Sequence, residues 1–305
     1  MSCKTTAVIV TYNSDDTIAA NLTAFKTAHD AGLISVIVVD NDSQDETATL
    51  VRRDFPWAQL IESRTNLGYG RGLNLGFDHV DTPYVIFMNP DAVLPCEALK
   101  VLLDFMEAHP QAGMIGPSIL RRNGAYQEAG GLLKPSAILR SAAGFSGNPP
   151  HRKSIQPDAA PFETDWLCGA LLFARTELIR KIGAFDPRFF LYFEETDLCV
   201  RVRAAGAQLW AVGQANAFHA SNASARKVRP ELETGGCLEE HFYASRFYYL
   251  WKHHGVLSAL LAESGEVLLL GVRDAVRTVL RRGNRGEALR NRLKGPLFAV
   301  PKKVL

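Results

Sequence analysis

The chain has 305 residues, of which 47% are hydrophobic and 22% charged, a composition typical of globular proteins and unlike that of disordered or fibrous ones. No uninterrupted apolar run reaches the ~18 residues that a membrane-spanning helix needs, and the N-terminus lacks the pattern of a secretory signal. The five cysteines are odd in number and show no CxxC spacing, which argues against a disulfide framework and a structural zinc site. We therefore expect a cytoplasmic protein with reduced thiols.

The net charge of +2 is distributed unevenly along the chain. Residues 273–305 contain ten Lys and Arg against two acids, a local charge of +8, so residues 1–272 carry −6. A basic tail on an acidic body indicates an anionic surface as a partner.

The first 120 residues alternate between strand and helix patterns. Apolar, β-branched runs predict strands at 7–12, 35–39, 59–61 and 84–88. Apolar strands separated by helices indicate a mostly parallel sheet that is covered on both faces. Because ligands of such sheets bind beyond the carboxyl ends of the strands, we expect the polar clusters at those ends to line one pocket.

Three of these strands end in polar clusters: Thr11-Tyr12-Asn13, Asp40-Asn41-Asp42 and Asn89-Pro90-Asp91. The carboxylate of Asp40 can accept a hydrogen bond from a pyrimidine N3–H, while Tyr12 offers a ring beside the base. A turn before a capped helix explains the second cluster equally simply, and taken alone that interpretation is favoured. No GxGxxG follows the first strand, which disfavours an NAD-binding site.

Two further segments suit a diphosphate and its metal. Glycines at 68, 70 and 72 permit a tight backbone before a helix start that favours anions, and Arg71 can bind a phosphate bidentately. As a bare glycine-rich loop this signal is weak. Asp91 offers one carboxylate, which is sufficient for Mg²⁺ when phosphates and water supply the other ligands, although a turn-forming aspartate after Pro90 is an equally good interpretation in isolation.

Three carboxylates, those of Glu194, Glu195 and Asp197, crowd the start of a predicted helix directly after an apolar and aromatic run. Acids are common at solvated helix starts for electrostatic reasons, so a purely structural explanation exists. An aromatic wall beside clustered carboxylates nevertheless predicts that at least one pKa is raised above the reference value of ~4.3, which suits a general base. His219 is either a structural histidine or the completion of a metal site.

Seven motifs in this order resemble those of the family 2 glycosyltransferases, in particular the bacterial rhamnosyltransferase-like branch. They occupy residues 8–13, 38–43, 66–70, 89–91, 166–170, 183–186 and 193–198. The resemblance covers roughly residues 5–225 and implies an α/β fold of the GT-A type: a Rossmann-like, mostly parallel sheet flanked by helices, with a C-terminal helical extension. It implies a glycosyltransferase domain at 1–235, with a nucleotide-sugar half at about 1–120 and an acceptor half at about 121–235, before a basic, amphipathic extension at 236–305.

The resemblance also implies roles for individual residues. Those implied to bind the nucleotide-sugar are Thr11, Tyr12, Asn13, Asp40, Asn41, Asn66, Gly68, Arg71, Asn74 and Asn89. Asp91 matches the last acid of the family's Asp-x-Asp metal motif and His219 its distal metal ligand, with Mg²⁺ or Mn²⁺ as the cofactor. Because Asn89 replaces the first acid of that motif, we expect weaker or more water-rich metal binding. Trp166, Cys168 and Gly169 are the implied acceptor-binding residues.

The family's base is usually the Asp of a Glu-Asp pair, and Glu195 occupies that position here. We therefore interpret Glu195, rather than Glu194, as the base of an inverting transfer, with Asp197 orienting a helix or a neighbouring Arg. The resemblance implies dTDP-L-rhamnose as the leading donor and a lipid-linked or growing surface saccharide, as in O-antigen and other cell-envelope polysaccharides, as the acceptor. The alternatives are another hexosyl- or N-acetylhexosaminyltransferase that uses a UDP-sugar, and a non-catalytic nucleotide-sugar-binding module docked on membranes. No nucleic-acid partner is expected.

The C-terminal extension combines an apolar stripe with basic residues. Arg273, Arg277 and Arg281 recur every four residues and so share one helix face. This pattern predicts peripheral attachment to the inner face of the cell membrane without crossing it. A helix that packs on the domain and exposes a basic side to solvent is the competing interpretation.

Overall fold

The computed structural model describes residues 3–145, 152–220, 237–280 and 286–299. The chain divides into two compact units. The first comprises Met1–Gly130, Lys153–Pro187 and Glu194–Arg229. The second comprises Gly131–Arg152, Arg188–Phe193 and Pro230–Leu305. The predicted domain boundary at residue 235 lies outside the described residues, as do Arg281 and part of the tail, and the division near residue 120 stays a prediction.

The described residues form eleven strands and ten helices. The strands are β1 (Thr5–Thr11), β2 (Ile34–Asp40), β3 (Gln59–Glu62), β4 (Tyr84–Met88), β5 (Ala92–Val93), β6 (Ala112–Arg121), β7 (Glu128–Ala129), β8 (Lys153–Ser154), β9 (Phe162–Thr164), β10 (Leu171–Arg175) and β11 (Gln208–His219). The helices are α1 (Ile18–Asp30), α2 (Thr47–Asp54), α3 (Tyr69–Phe77), α4 (Cys96–Ala108), α5 (Pro135–Ala142), α6 (Thr176–Lys181), α7 (Glu194–Ala204), α8 (Cys237–His254), α9 (Val256–Val279) and α10 (Glu287–Arg292).

The first unit is built on one mixed sheet, whose nine strands in the described residues include the path β3-β2-β1-β4-β10-β6-β11-β5. The four predicted strands of the N-terminal part are β1 to β4, and they pair in parallel. Strand β10 is antiparallel to both β4 and β6, whereas β6 and β11 are parallel. The predicted α/β sheet flanked by helices is therefore confirmed, with antiparallel strands added beyond its parallel part.

Helix α3 lies unusually close to the sheet because two of its residues have no side chain. A Cβ on Gly76 would lie 2.5 Å from Cγ1 of Val8, and one on Gly72 would lie 2.9 Å from Cγ1 of Val10. The two glycines are four residues apart and so share one helix face. This packing holds the start of α3, where the glycine-rich segment ends, against the carboxyl end of β1.

The strand register brings the predicted polar clusters to one edge of the sheet. Thr11 pairs with Asp40 at the ends of β1 and β2, and Ile9 pairs with Met88 at the end of β4. On the other side of the site, the antiparallel pairing of β5 with β11 sets His219 opposite Ala92, directly beside Asp91. Residues that are 128 positions apart in the chain thus become neighbours.

The second unit is helical, and α8 and α9 are joined by a buried ionic cluster. Arg246 of α8 donates to Glu263 of α9 at 2.9 Å and 2.6 Å, and it also pairs with Glu266. Arg292 of α10 donates to Glu266 at 2.8 Å and pairs with Glu263. The ring of Tyr243 lies against both guanidinium groups. Each buried charge is thereby compensated, as burial requires.

Membrane-spanning helices are absent from the described part of the chain, because none of its helices is both long and apolar enough to cross a bilayer.

Glu263→Gln tests how strongly the ionic cluster holds the second unit together. Removing this carboxylate leaves Arg246 and Arg292 short of a buried partner, and breaking a buried pair on one side typically costs about 3–5 kcal/mol. We expect a clear fall in the free energy of unfolding, measured by urea titration with circular dichroism. Asp30→Asn, which breaks the exposed Lys26–Asp30 pair, is the matched control and should leave stability almost unchanged. Equal losses of stability in the two variants would contradict a stabilising role of the ionic cluster.

Candidate active site

The first group of predicted site residues lies at the carboxyl ends of β1 and β2. The hydroxyl of Thr11 donates to Oδ1 of Asp40 at 3.1 Å, and the amide of Ser43 donates to Oδ2 at 3.1 Å. Asn13 has a φ of 50°. Its backbone amide donates to the hydroxyl of Ser43 at 2.9 Å. The Asp40 carboxylate is buried but fixed by two donors, and Tyr12 is half-buried next to this edge.

Asn41 holds the start of the glycine-rich segment in place. Its side-chain amide donates to Oδ1 of Asn66 at 3.0 Å and to the carbonyl of Gly68 at 3.3 Å, while its Oδ1 accepts from the amide of Leu67 at 2.9 Å. Asn66 Oδ1 also accepts from the amide of Gly68. Because the side chain of Asn41 is buried and its polar atoms are used in these bonds, its observed contacts shape the loop. Its predicted contact with a nucleotide stays a prediction.

Two residues of α3 differ in how their polar groups are used. Asn74 exchanges two hydrogen bonds with the backbone of Phe185, at 2.8 Å and 3.0 Å, and so ties α3 to the turn after α6. The half-buried guanidinium of Arg71, in contrast, has no hydrogen bond or ion pair to any described residue. The guanidinium N–H groups of Arg71 are therefore available to bind an anion such as a phosphate.

Asn89, Asp91 and His219 form the candidate metal centre. Nε2 of His219 lies 3.0 Å from Oδ1 of Asp91 and 3.2 Å from Nδ2 of Asn89. The three polar groups therefore converge on one point. A carboxylate beside an imidazole is a pair of ligands that suits a divalent cation.

The carboxyl pair at the start of α7 lies in an apolar environment. Glu194 is 5% exposed, and its Oε2 has no hydrogen-bond partner among the described residues. Burial, and secondly the charge of Glu195, raise the pKa of Glu194 well above its usual range. Burial likewise raises the pKa of Glu195, although hydrogen bonds from Thr196 and Trp166 act in the opposite direction. The raised carboxyl pKa that the sequence predicted here is therefore supported for both residues.

Glu195 fits between a glycine and an indole. A Cβ on Gly169 would lie 3.1 Å from Cβ of Glu195, so any other residue there would press on the glutamate. The indole N–H of Trp166 lies 3.3 Å from Oε1 of Glu195 and 3.0 Å from Oγ1 of Thr196. Trp166 is 8% exposed, and Cys168 is half-buried and not part of a disulfide. Acceptor binding by Trp166, Cys168 and Gly169 stays a prediction.

Asp197 has no exposed surface and forms an ion pair with Arg201 at 2.7 Å, one turn further along α7. Arg201 also donates to the carbonyl of Ile182 at 2.9 Å. This arrangement fixes α7 to the turn after α6, and a catalytic role of Asp197 stays a prediction.

Tyr69 connects the carboxyl pair to the candidate metal centre. Its hydroxyl donates to the carbonyl of Gly169 at 3.3 Å. Burial raises the pKa of Tyr69 well above its usual range, and the charges of Glu194, Cys168, Asp91 and Glu195 add to this effect. The amide of Asn89 in turn donates to the carbonyl of Ala170, next to Gly169, at 3.0 Å. The predicted carboxylates and metal ligands therefore belong to one site.

Comparison with known protein families shows which family the chain belongs to. The model of glycosyl transferase family 2 matches residues 6–169, more than half of the chain. The chain belongs to this family. The family resemblance predicted from the motifs is therefore confirmed.

Two curated relatives of this glycosyltransferase are rhamnosyltransferases. An N-acetylglucosaminyl-diphospho-decaprenol L-rhamnosyltransferase of Mycobacterium tuberculosis is 30% identical over 194 residues, which are 57% of this chain and 62% of that protein. Rhamnosyltransferase WbbL of Escherichia coli is 25% identical over 164 residues, 50% of this chain and 60% of that protein. The chain thus spans about three fifths of the length of the relatives it matches.

Solved structures of the same fold include other glycosyltransferases. A mannosyltransferase from Pyrobaculum calidifontis, in complex with GDP-Man and Mn²⁺, has a TM-score of 0.56 at 17% identity over 92% of this chain and 76% of that one. GalNAc-T7, with UDP, GalNAc and Mn²⁺, has a TM-score of 0.57 at 12% identity over 72% of this chain and 44% of that one. The predicted GT-A type of fold is confirmed.

Reasoning from the sequence missed three residues that shape this site. Thr196 and Tyr69 contact the carboxyl pair or its loop, and Ser43 donates to the carboxylate of Asp40. Thr196 and Tyr69 lie within two of the seven motifs, and each is next to a residue with an implied role. Their position in the motifs was therefore the signal that could have found them. The direction of their side chains depends on tertiary packing, which a single sequence does not reveal.

Proposed function

We propose that the glycosyltransferase catalyses a single in-line, inverting transfer of a sugar from a nucleoside diphosphate to an acceptor hydroxyl. The observation that carries this proposal is the pair formed by buried Glu194 and half-buried Glu195, which, like Asp91 beside His219, acts electrostatically on Tyr69. A carboxylate with a raised pKa suits proton abstraction from an alcohol, and a metal edge suits a diphosphate leaving group. A module that only binds nucleotide-sugars would have no use for a buried carboxyl pair.

In the proposed step, a carboxylate oxygen of Glu195 takes the proton of the acceptor hydroxyl. The acceptor oxygen forms a bond to the anomeric carbon while the bond from that carbon to the diphosphate oxygen breaks. The bonding electron pair leaves with the nucleoside diphosphate, so a single displacement inverts the anomeric centre. Arg71, whose donors are not used by other described residues, is positioned to bind the diphosphate.

The residues of the candidate metal centre fit a divalent cation of the Mg²⁺ or Mn²⁺ type. One carboxylate and one imidazole, converging with the Asn89 amide, leave the remaining ligand positions for phosphate oxygens and water. The mixed oxygen and nitrogen ligands also suit the Mn²⁺ named for two solved glycosyltransferases of this fold. A cation there would stabilise the charge of the departing diphosphate.

For the donor we propose dTDP-L-rhamnose, because two relatives of the chain are rhamnosyltransferases. A lipid-linked or growing saccharide of the bacterial cell envelope is the proposed acceptor, supported by the diphospho-decaprenol in the name of one relative and the O-antigen in the name of another. A UDP-sugar is the second candidate donor, since Asp40 suits the N3–H of uracil as well as that of thymine.

Thermal shift with a panel of nucleotide-sugars tests donor and metal together. Binding to the folded state raises stability as ln(1 + [L]/Kd), about 2.7 kcal/mol at a ligand concentration of 100 Kd. We expect dTDP-L-rhamnose with Mn²⁺ to raise the midpoint more than UDP-glucose or GDP-mannose. His219→Ala should lose the Mn²⁺-dependent part of the shift, whereas the control His29→Ala, at a half-buried histidine stacked on Trp57, should keep it.

Two outcomes would revise this assignment. A larger shift with a UDP-sugar would overturn the donor but leave the reaction class, and an undiminished Mn²⁺ response in His219→Ala would make His219 a structural residue.

Glu195→Gln tests the base. The amide keeps the shape of the side chain but is not basic, so we expect kcat to fall by at least ~100-fold while nucleotide-sugar binding is retained. Glu194→Gln should lose less activity, because a buried neutral carboxyl resembles an amide. Initial-rate measurements, with single-turnover experiments as controls, give the activity of both variants. Loss of activity in Glu194→Gln with full activity in Glu195→Gln would exchange the two roles.

We further propose that the second unit binds the surface of an anionic membrane through α9. Six apolar side chains of this helix are more than half exposed: Leu257, Leu261, Leu268, Val272, Val276 and Val279. They recur at intervals of three, four and seven residues, so they form one stripe along the helix. Arg273 and Arg277 border the stripe and, with apolar neighbours, line a groove beside Ala143 of α5. An apolar stripe edged by arginines is typical of helices that lie in the membrane interface.

Co-sedimentation with vesicles of phosphatidylglycerol and phosphatidylcholine tests this surface. Each arginine near an anionic leaflet contributes about 1 kcal/mol, so Arg273→Gln/Arg277→Gln should weaken partitioning by roughly 30-fold, a factor that corresponds to about 2 kcal/mol. Leu261→Ser/Leu268→Ser should also weaken it. Arg52→Gln/Arg53→Gln, which removes two exposed arginines of α2, is the matched control. Binding that is insensitive to salt, or equal in all variants, would contradict an electrostatic interface.

A further inference from the structure

The two carboxyls at the start of α7, buried Glu194 and half-buried Glu195, differ in the hydrogen bonds that reach them. Oε1 of Glu195 lies 2.9 Å from the hydroxyl of Thr196 and 3.3 Å from the indole nitrogen of Trp166. Oε2 of Glu194 is buried and has no partner among the described residues. The neighbouring carboxyls therefore occupy unequal environments, although they are adjacent in the chain.

The direction of the hydrogen bonds around Thr196 is fixed by chemistry. An indole N–H only donates, so at 3.0 Å the Thr196 oxygen accepts from Trp166. The hydroxyl of Thr196 in turn donates to Oε1 of Glu195 at 2.9 Å. A proton on Oε1 would compete with this hydrogen bond. Bonds of this kind stabilise the ionised form of a carboxyl.

We infer that Trp166 and Thr196 are positioning residues, which hold Glu195 as the ionised member of the pair and leave its Oε2 to receive the proton of the acceptor hydroxyl. Glu194 then keeps its proton. This inference rests on the proposed role of Glu195 as the base, and it gives Trp166 a function different from the contact with the acceptor that its motif predicted.

The surroundings of Glu195 explain why these donors are needed. Three titratable groups interact electrostatically with Glu195: Glu194 and Cys199 of α7 and Tyr69 of α3. Cys168 before β10 acts on both Tyr69 and Cys199, Asp91 after β4 acts on Tyr69, and Asp197 of α7 acts on Cys199. All of them are neutral or anionic, and no Lys or Arg of the described residues pairs with Glu195. Asp197 is already neutralised by Arg201. The ionised form of Glu195 therefore depends on hydrogen bonds rather than on a neighbouring cation.

The pH dependence of kcat/KM tests the inference. A base must be ionised, so the rate rises with pH through the pKa of Glu195. Trp166→Phe and the nearly isosteric Thr196→Val each remove a donor, and we expect this rise to move to higher pH by about one unit. At low pH the variants should then be about ten-fold slower than the wild type, while the rates at high pH stay similar. Thr196→Ser keeps the hydroxyl and should keep the wild-type profile.

Three results separate the possible outcomes. An unchanged profile with a uniform loss of rate at every pH would make Trp166 and Thr196 merely structural and overturn the inference. A raised KM for the acceptor with an unchanged kcat in Trp166→Phe would restore the acceptor contact instead. Full activity in Glu195→Gln would refute the proposed base and the inference with it, whereas loss of activity in that variant together with an unmoved profile in Trp166→Phe would refute the inference alone.

Discussion

The desolvation of two adjacent carboxyls at the start of α7, buried Glu194 and half-buried Glu195, is the constraint on which the site depends. An ionised carboxylate is costly to bury without partners, so the pKa of both groups is raised, and hydrogen-bond donors from Trp166 and Thr196 reach Glu195. Gly169 leaves space beside Glu195, because a Cβ there would lie 3.1 Å from Cβ of the glutamate. The desolvation that raises the pKa of Glu195 also suits the role of base that we propose for it.

The positions of the other residues of the site follow from the order and register of the strands in the sheet. The parallel register of β1, β2 and β4 brings Thr11, Asp40 and Asn89 to one edge, and the short strand β5 returns along β11 to set Asp91 beside His219. Gly72 and Gly76 allow α3, which carries Arg71, to pack closely against β1 and β2. Several residues that were predicted to bind the nucleotide-sugar, including Asn41 and Asn74, form hydrogen bonds that hold loops in place. The motifs alone did not indicate this structural role.

The sequence predicted the fold well because apolar strands with polar ends carry a strong local signal. All four N-terminal strands and the raised carboxyl pKa at Glu194 and Glu195 followed from short-range patterns. The antiparallel insertion of β10 between β4 and β6 did not, since pairing between distant segments leaves little trace in a single sequence. The contacts of Trp166 also depend on distant segments, because its indole N–H lies beside Glu195 and Thr196. Its predicted contact with the acceptor stays a prediction.

Helix α9 inverts the usual distribution of polarity, and this inversion has a physical cause. Its acids Glu263 and Glu266 lie inside, where Arg246 and Arg292 compensate them, while Leu261, Leu268 and Val279 lie largely in solvent. A helix stabilised only by apolar burial would turn its leucines inward. Because the paired charges already fix the inner face, the apolar side chains form an outer surface, and the arginines at its margin are the basis of the anionic partner that we propose for it. The ionic cluster thus does more than stabilise the second unit, since it sets which face of α9 is exposed to solvent.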